Sequence, residues 1–267
     1  MPQLFSLYAR LITARFRSQM QYRMSFVLAL LGSVASTAIE FAAIVVLFSR
    51  IQTLAGWTLW EVALLYALSE TSFASAELVG SALDDFQVRI AQGTFDRVLT
   101  RPRGAFFQVM CEDLALRRLG RVVQGAAVLV IATRNAGINW TPDKLLVLVM
   151  ALASGIAIFF SIFVLAASFC FWTTEGKEAT HVFSYGGVTL ADYPIDIYAN
   201  WLKRFVTFVL PLAFVSYYPA LHVLERPDPL GLPVWLRLLS PVAALALAGL
   251  AAAAWSLGVR RYQSTGS

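Results

Sequence analysis

Charged residues are scarce in this sequence. Only 14% of its 267 residues are Asp, Glu, Lys or Arg, whereas 58% are hydrophobic. A soluble domain carries about 25% charged residues, because water must solvate its surface. So few charges cannot cover a water-exposed surface of this size. We therefore predict an integral membrane protein rather than a soluble globular domain.

The sequence is also poor in residues that carry covalent or metal chemistry. It has two cysteines, Cys111 and Cys170, and two histidines, His181 and His222. Their spacing indicates neither a disulfide framework nor a metal site. No nucleotide-binding loop of the GxxxxGK[ST] type is present. We therefore predict no catalytic residues and no metal or cofactor site in this chain.

Long apolar runs dominate what remains. A helix needs about 20 apolar residues to cross the hydrocarbon core of a bilayer. We predict an all-α polytopic membrane protein, a single domain over residues 1–267 with six transmembrane helices. The predicted spans are residues 24–48, 59–82, 113–132, 145–172, 203–223 and 240–258. Pro211 and Pro219 interrupt the fifth span, which indicates a kink or a break.

The first 23 residues are too charged to cross a membrane. Leu4 and Leu11 recur at helical spacing, and Arg10 and Arg17 fall mostly elsewhere on the helical wheel. This pattern predicts an amphipathic helix lying in the membrane interface over residues 1–23. A frayed basic tail is the alternative.

The distribution of Lys and Arg predicts the orientation. Most of the 21 Lys and Arg residues fall on one side of the membrane when the N-terminus is placed inside. That side includes the stretch 84–121, and Lys203 and Arg204 are assigned to it as well. Because cytoplasmic loops carry the excess of positive charge, we predict that both termini are cytoplasmic.

Three acidic residues lie within predicted spans: Glu40 in the first, and Glu70 and Glu77 in the second. Ionisable groups at membrane depth are costly and mostly face a bundle interior or a cavity. The three acids therefore indicate a translocation pathway or a subunit interface. Structural hydrogen bonds to neighbouring helices are the alternative.

A second group of charges lies at the start of the third predicted span. Glu112 and Asp113 adjoin Arg117, Arg118 and Arg121, with intervals of four to five residues among them. This spacing predicts local ion pairs at the inner mouth of that span.

The largest inside segment, residues 84–121, begins with a stretch, 84–102, that carries apolar residues where the chain should be exposed to water. Phe86, Ile90, Val98 and Leu99 lie in it, and Pro102 ends its helical pattern. A short amphipathic segment of this kind favours docking on a partner. A plain basic loop is the alternative.

The same segment resembles a known family. Gly-Thr-Phe-Asp-Arg-Val-Leu-Thr-Arg-Pro at 93–102 is similar to the loop after the second span in permease subunits of bacterial type-2 ATP-binding-cassette (ABC) exporters. Residues 193–219 and Phe-Trp-Thr-Thr-Glu-Gly at 171–176 resemble the same subgroup. The resemblance extends over nearly the whole chain, including its length, its six spans and the interfacial helix.

The resemblance implies a permease subunit of an ATP-driven exporter in the bacterial inner membrane. Such a subunit forms the translocation pathway as a dimer, with a second copy or a paralogous permease. Separate ATPase subunits bind ATP and Mg on the cytoplasmic side, membrane lipid surrounds the spans, and nucleic acid is not a partner. A membrane-embedded enzyme and a self-contained secondary transporter are the alternatives.

In this family the loop after the second span couples the permease to its ATPase. Carried onto this sequence, the coupling loop is 84–102. The implied contact residues are Phe86, Arg89, Ile90, Phe95, Asp96 and Arg97. Changing Phe95 or Arg97 to alanine is expected to uncouple ATPase stimulation while the protein still inserts.

Overall fold

The computed structural model describes residues 23–111, 115–173, 176–228, 231 and 233–263. Within these residues the chain is helical and forms no β-strand, which confirms the all-α fold class. The interfacial helix predicted over residues 1–23 lies outside the described residues, apart from Arg23. The helices, in chain order, are α1 (Arg23–Phe48), α2 (Leu59–Asp84), α3 (Phe86–Ala91), α4 (Asp96–Leu99), α5 (Ala105–Met110), α6 (Leu119–Asn135), α7 (Pro142–Phe169), α8 (Gly176–Ala191), α9 (Asn200–Arg204), α10 (Tyr217–Val223) and α11 (Ser240–Arg261).

Four of these helices, α1, α2, α7 and α11, are long and apolar enough to cross a membrane. They match the first, second, fourth and sixth predicted spans. A bent pair, Asn200–Val209 with Leu212–Val223, would bring the number to five if it formed one span. The predicted count of six is therefore approximate.

Local sequence explains where two of the long helices begin. The backbone N–H of Thr58 donates a 2.7 Å hydrogen bond to the Glu61 carboxylate, so a capping box starts α2. Helix α7 begins with Pro142 and has Asp143 in its first turn. Proline is tolerated there because its missing N–H would have no helical partner, and the carboxylate favours the positive end of the helix dipole.

Contacts along α2 show in which direction α8 and the residues after it run between the two ends of the bundle. The Tyr185 hydroxyl of α8 donates to Glu77, and Ser69 donates to the backbone carbonyl of Val188. Further along, the Trp57 indole donates to Asp196. Helix α8 and the residues after it therefore run antiparallel to α2 and reach its beginning. We call that end of the bundle the Trp57 end, and the end that carries α3, α4 and α5 the basic end.

Residues 200–223, which include the predicted fifth span 203–223, are better described as a re-entrant pair. Asp196, before it, bonds Trp57, and Arg226, after it, bonds Glu61 at the start of α2. The chain between them therefore leaves the Trp57 end and returns to it. Its two helices are bent by 74° at Leu210 and Pro211, consistent with the break that proline imposes.

This arrangement changes two sequence-based assignments. The chain runs from the basic end to the Trp57 end through α8 and the residues that follow it, whereas 203–223 lies between two contacts at the Trp57 end. Lys203 and Arg204 directly precede the π-helical turn Phe205–Val209 and so belong to the re-entrant pair that opens at the Trp57 end. This placement differs from the basic side predicted for them, because length and composition alone do not distinguish a bent pair from a span.

Helix α2 occupies the centre of the bundle. Nearly all its residues from Val62 to Leu83 are buried. Two glycines allow its neighbours to come close: a Cβ added to Gly125 of α6 would lie 2.6 Å from Thr71 Oγ1, and one added to Gly155 of α7 would lie 2.5 Å from Ser72 Oγ. Small residues at such contacts are the usual means by which membrane helices pack.

Helix α1 is peripheral. Its only buried residues are Thr37 and Ile44, and Glu40 is exposed on it. The Tyr66 hydroxyl donates to the backbone carbonyl of Thr37 and holds α1 to α2.

Candidate functional site

The segment at the basic end folds as three short helices, α3, α4 and α5. Gly93 has φ +65° and turns the chain between α3 and α4, a conformation that glycine adopts without strain. The Gln108 side chain donates hydrogen bonds to the carbonyls of Val98 (2.9 Å) and Arg103 (2.8 Å) and ties α5 to the preceding turn. Gln108 is buried, and sequence reasoning did not identify it.

The structure divides the six predicted coupling residues into two groups. Phe86 and Phe95 are 0% exposed and Ile90 is 6% exposed, so these three face the inside of the chain. Arg97 is exposed, and Arg89 and Asp96 are half-buried. Only the second group can touch a separate subunit without rearrangement. The first group anchors the segment instead.

An aromatic cluster provides this anchor. Phe86 lies 5.3 Å from Phe95 and 5.0 Å from Trp255 of α11, measured between ring centroids. Phe171, just after α7, contacts both phenylalanines at 5.2 and 5.5 Å. Tyr262, just after α11, completes the cluster at 5.1 Å from Phe95. Most of these pairs are edge-on, the arrangement that the aromatic quadrupole favours.

The cluster connects the segment to the ends of three spans, because α2 leads directly into Phe86 and α7 and α11 end beside it. Burial raises the pKa of the Tyr262 hydroxyl, and the nearby Asp96 carboxylate raises it further. The cluster and Asp96 therefore fix α4 against the end of α11.

A substitution at Gly258 of α11 tests whether the packing of the aromatic cluster contributes to stability. A Cβ at this position would overlap the Phe171 ring. We expect Gly258→Ala to displace that ring and lower thermal stability, by about 1–3 kcal/mol, the usual cost of overpacking. Thermal unfolding in detergent, followed by tryptophan fluorescence, measures the change.

Gly249 on the same helix provides the matched control, since nothing lies within 4 Å of its added Cβ. Gly249→Ala should leave stability unchanged or raise it slightly, because alanine has the higher helix propensity. Equal effects of the two substitutions would show that the Phe171 contact is unimportant.

A ladder of buried ion pairs lies between α2 and α6. Arg121 bonds Glu70 and Glu77, each at 3.1 Å. Arg118 bonds Glu77 at 2.8 Å and Asp84 at 2.9 Å. Glu70, Glu77 and Asp84 therefore each have a cationic partner, which offsets the cost of removing charge from water. We call these five residues the ladder.

Glu77 is the most connected member of the ladder. Besides both arginines it accepts a 2.6 Å hydrogen bond from the Tyr185 hydroxyl of α8, and it is 2% exposed. These contacts join Glu70 and Glu77 to α6 and α8, as the alternative interpretation of bonds to neighbouring helices expects. Glu40, exposed on α1, is the one predicted pathway residue that faces outward.

The partners of Arg118 and Arg121 differ from those expected. Local pairs with Glu112 and Asp113 were predicted, but both acids lie outside the described residues. The ladder joins residues more than 30 positions apart. Its signal in the sequence is the seven-residue interval between Glu70, Glu77 and Asp84, which places them on one face of α2.

A second group of polar contacts lies at the Trp57 end. Arg226 donates to both oxygens of Glu61 at 2.8 and 2.9 Å, and its guanidinium lies 4.4 Å from the centre of the Trp57 ring. Asp196 accepts hydrogen bonds from the Trp57 indole at 2.7 Å and the Tyr217 hydroxyl at 3.0 Å. The contacts of this group hold the re-entrant pair against the start of α2.

Long apolar helices, a re-entrant pair and buried ion pairs between helices define a multi-pass membrane protein. The sequence profile of the family described as ABC-2 family transporter protein matches residues 34–266. The chain therefore belongs to this family and is a membrane permease component of an ABC transporter. Neither the curated proteins nor the solved structures gave a significant match.

Proposed function

We propose that this chain is the permease of an ATP-driven exporter and forms the translocation pathway with a second copy or a paralogous permease. Cytoplasmic ATPase subunits, which bind ATP and Mg, dock at the basic end. The chain lies in the bacterial inner membrane with both termini in the cytoplasm, and it hydrolyses nothing itself.

The observation that supports this proposal is that the segment 84–102 has an anchored inner face and an exposed outer face. Its inner face is fixed to the ends of three spans by the aromatic cluster. Its outer face presents Val88 and Leu99, 42% and 43% exposed, beside the exposed Arg97. A rigid surface that mixes apolar and cationic groups suits a protein partner. A force applied to this surface is therefore transmitted directly to α2, α7 and α11.

The ladder argues against the embedded enzyme. Glu70 and Glu77 are engaged by arginines, so neither is placed to act as a general acid or base. Among the residues that the structure describes, no cluster of His, Cys, Asp and Glu side chains could hold a metal ion.

The experiment is co-purification of the ATPase with the tagged permease from native membranes. We expect Arg97→Glu to reduce the amount of ATPase recovered by about tenfold, equivalent to ~1.4 kcal/mol, because it reverses a charge at the docking surface. The same variant should reduce the stimulation of ATP hydrolysis by the permease.

Arg134→Glu is the matched control, since Arg134 is exposed at the last turn of α6, at the Trp57 end. It should leave ATPase recovery unchanged. Recovery that is normal with Arg97→Glu would reject the docking surface, and absence of any ATPase from the wild-type complex would reject the proposed function.

A further inference from the structure

The ladder has a regular geometry. Its acids, Glu70, Glu77 and Asp84, follow one another every seven residues, or about 10.5 Å along α2. The two guanidiniums, of Arg118 and Arg121, lie in the two gaps between them. Each arginine therefore bridges the acid above it and the acid below it.

Double bridging has a mechanical consequence. If α6 moves towards the basic end, Arg121 can release Glu70 and keep Glu77. If α6 moves the other way, Arg121 can release Glu77 and keep Glu70. Arg118 has the same choice between its own two acids. Neither movement leaves a guanidinium unpaired. The carboxylate that is released is Glu70 at one end of the ladder or Asp84 at the other, and the cost of leaving a buried charge without its partner keeps the displacement small.

Packing around α6 is compatible with such a movement. Gly125 faces Thr71 of α2, and Gly120 faces Leu30 and Val34 of α1. At both points the neighbouring helix packs closely against the glycine backbone of α6. Close packing through small residues is common between membrane helices, and packed helices can slide past one another over small distances.

We propose that α6 slides along α2 by exchange of partners within the ladder, and that the ladder residues set its position during transport. This inference rests on the proposed function for its driving force. Helix α6 follows the segment at the basic end, so an ATPase that moves this segment also moves the start of α6. Shifts of packed helices by about 1–2 Å are typical of such transitions.

The test uses the two ends of the ladder, which should have opposite effects. Glu70→Gln removes the upper partner of Arg121, so α6 should move towards the basic end. Asp84→Asn removes the lower partner of Arg118, so α6 should move towards the Trp57 end. Spin labels at Val79 of α2 and Arg134 of α6, both exposed, report this movement in the full-length permease in lipid nanodiscs.

We expect the mean distance between the labels to shorten by about 1–2 Å in Glu70→Gln and to lengthen by a similar amount in Asp84→Asn. The double variant should return it to the wild-type value. Asp85→Asn, an exposed acid beside the ladder, is the matched control and should leave the distance unchanged. Cys111→Ser and Cys170→Ala remove the two native thiols from all samples.

Shifts in the same direction, or no shift in either variant, would overturn the proposal, because a purely structural ladder loosens equally from both ends. If Glu70→Gln fails to fold, Glu70→Asp shortens the side chain and should give the same sign of shift. ATPase co-purification is measured in parallel. Normal recovery with no shift rejects only the sliding, whereas lost recovery from wild type rejects only the proposed function.

Discussion

Replacing Glu77 with alanine is expected to destabilise the protein by about 3–5 kcal/mol, the cost of breaking a buried ion pair from one side. The substitution removes a partner from both Arg118 and Arg121 and leaves the Tyr185 hydroxyl without its acceptor. Three helices, α2, α6 and α8, lose their common contact. We expect lower yield in the membrane and a lower unfolding temperature in detergent.

Glu77→Gln removes the charge but keeps the size of the side chain, so it separates the two contributions to stability. The amide still accepts from Tyr185 but no longer neutralises the arginines, so its effect should be smaller than that of alanine and clearly above zero. Asp85→Ala, at an exposed neighbouring acid, should have almost no effect. A Glu77→Ala protein as stable as Asp85→Ala would refute the account of the ladder.

Replacing Phe95 with alanine is expected to cost about 3–5 kcal/mol, as for other buried aromatic side chains. Phe95 is fully buried and touches Phe86, Phe171 and Tyr262. Its loss should free α4 from the ends of α7 and α11. This differs from the sequence-based expectation, in which the alanine variant inserts normally and loses only a contact with the ATPase.

Hydrogen exchange over residues 84–102 measures the effect. We expect faster exchange in Phe95→Ala than in Val88→Ala, because Val88 is half exposed on the outer face of α3. Phe95→Leu should lie between the two, since leucine fills part of the ring's volume. Equal exchange in all three variants would show that Phe95 does not anchor the segment.

The sequence predicted those features of the fold that depend on local composition. Helices α1, α2, α7 and α11 are long and mostly apolar, and their length and composition identify them. Helix α8 is only 16 residues long and includes Gly186 and Gly187. Its hydropathy therefore did not identify it as a helix that connects the two ends of the bundle. Its polar groups bond other parts of the chain, as Tyr185 bonds Glu77. Such contacts leave no local pattern in the sequence.

The sequence indicates a candidate site at 84–102 but not how its side chains pack. The run 84–102 stands out because it is apolar in a basic loop. Which of its phenylalanines face inward depends on Phe171 and Trp255, far away in the sequence, so periodicity over so short a segment could not assign them. The same holds for the ladder: the sequence singled out Glu70 and Glu77 but not Asp84, and it predicted local partners for the two arginines.

Site-specific photo-crosslinking from position 97 tests the central claim most directly. A photoreactive amino acid replaces Arg97, and in a parallel sample Arg134, in the full-length permease in native membranes. We predict that an ATPase subunit is captured from position 97 and not from position 134. Equal capture from both positions, or capture from position 134 alone, would contradict docking at the basic end.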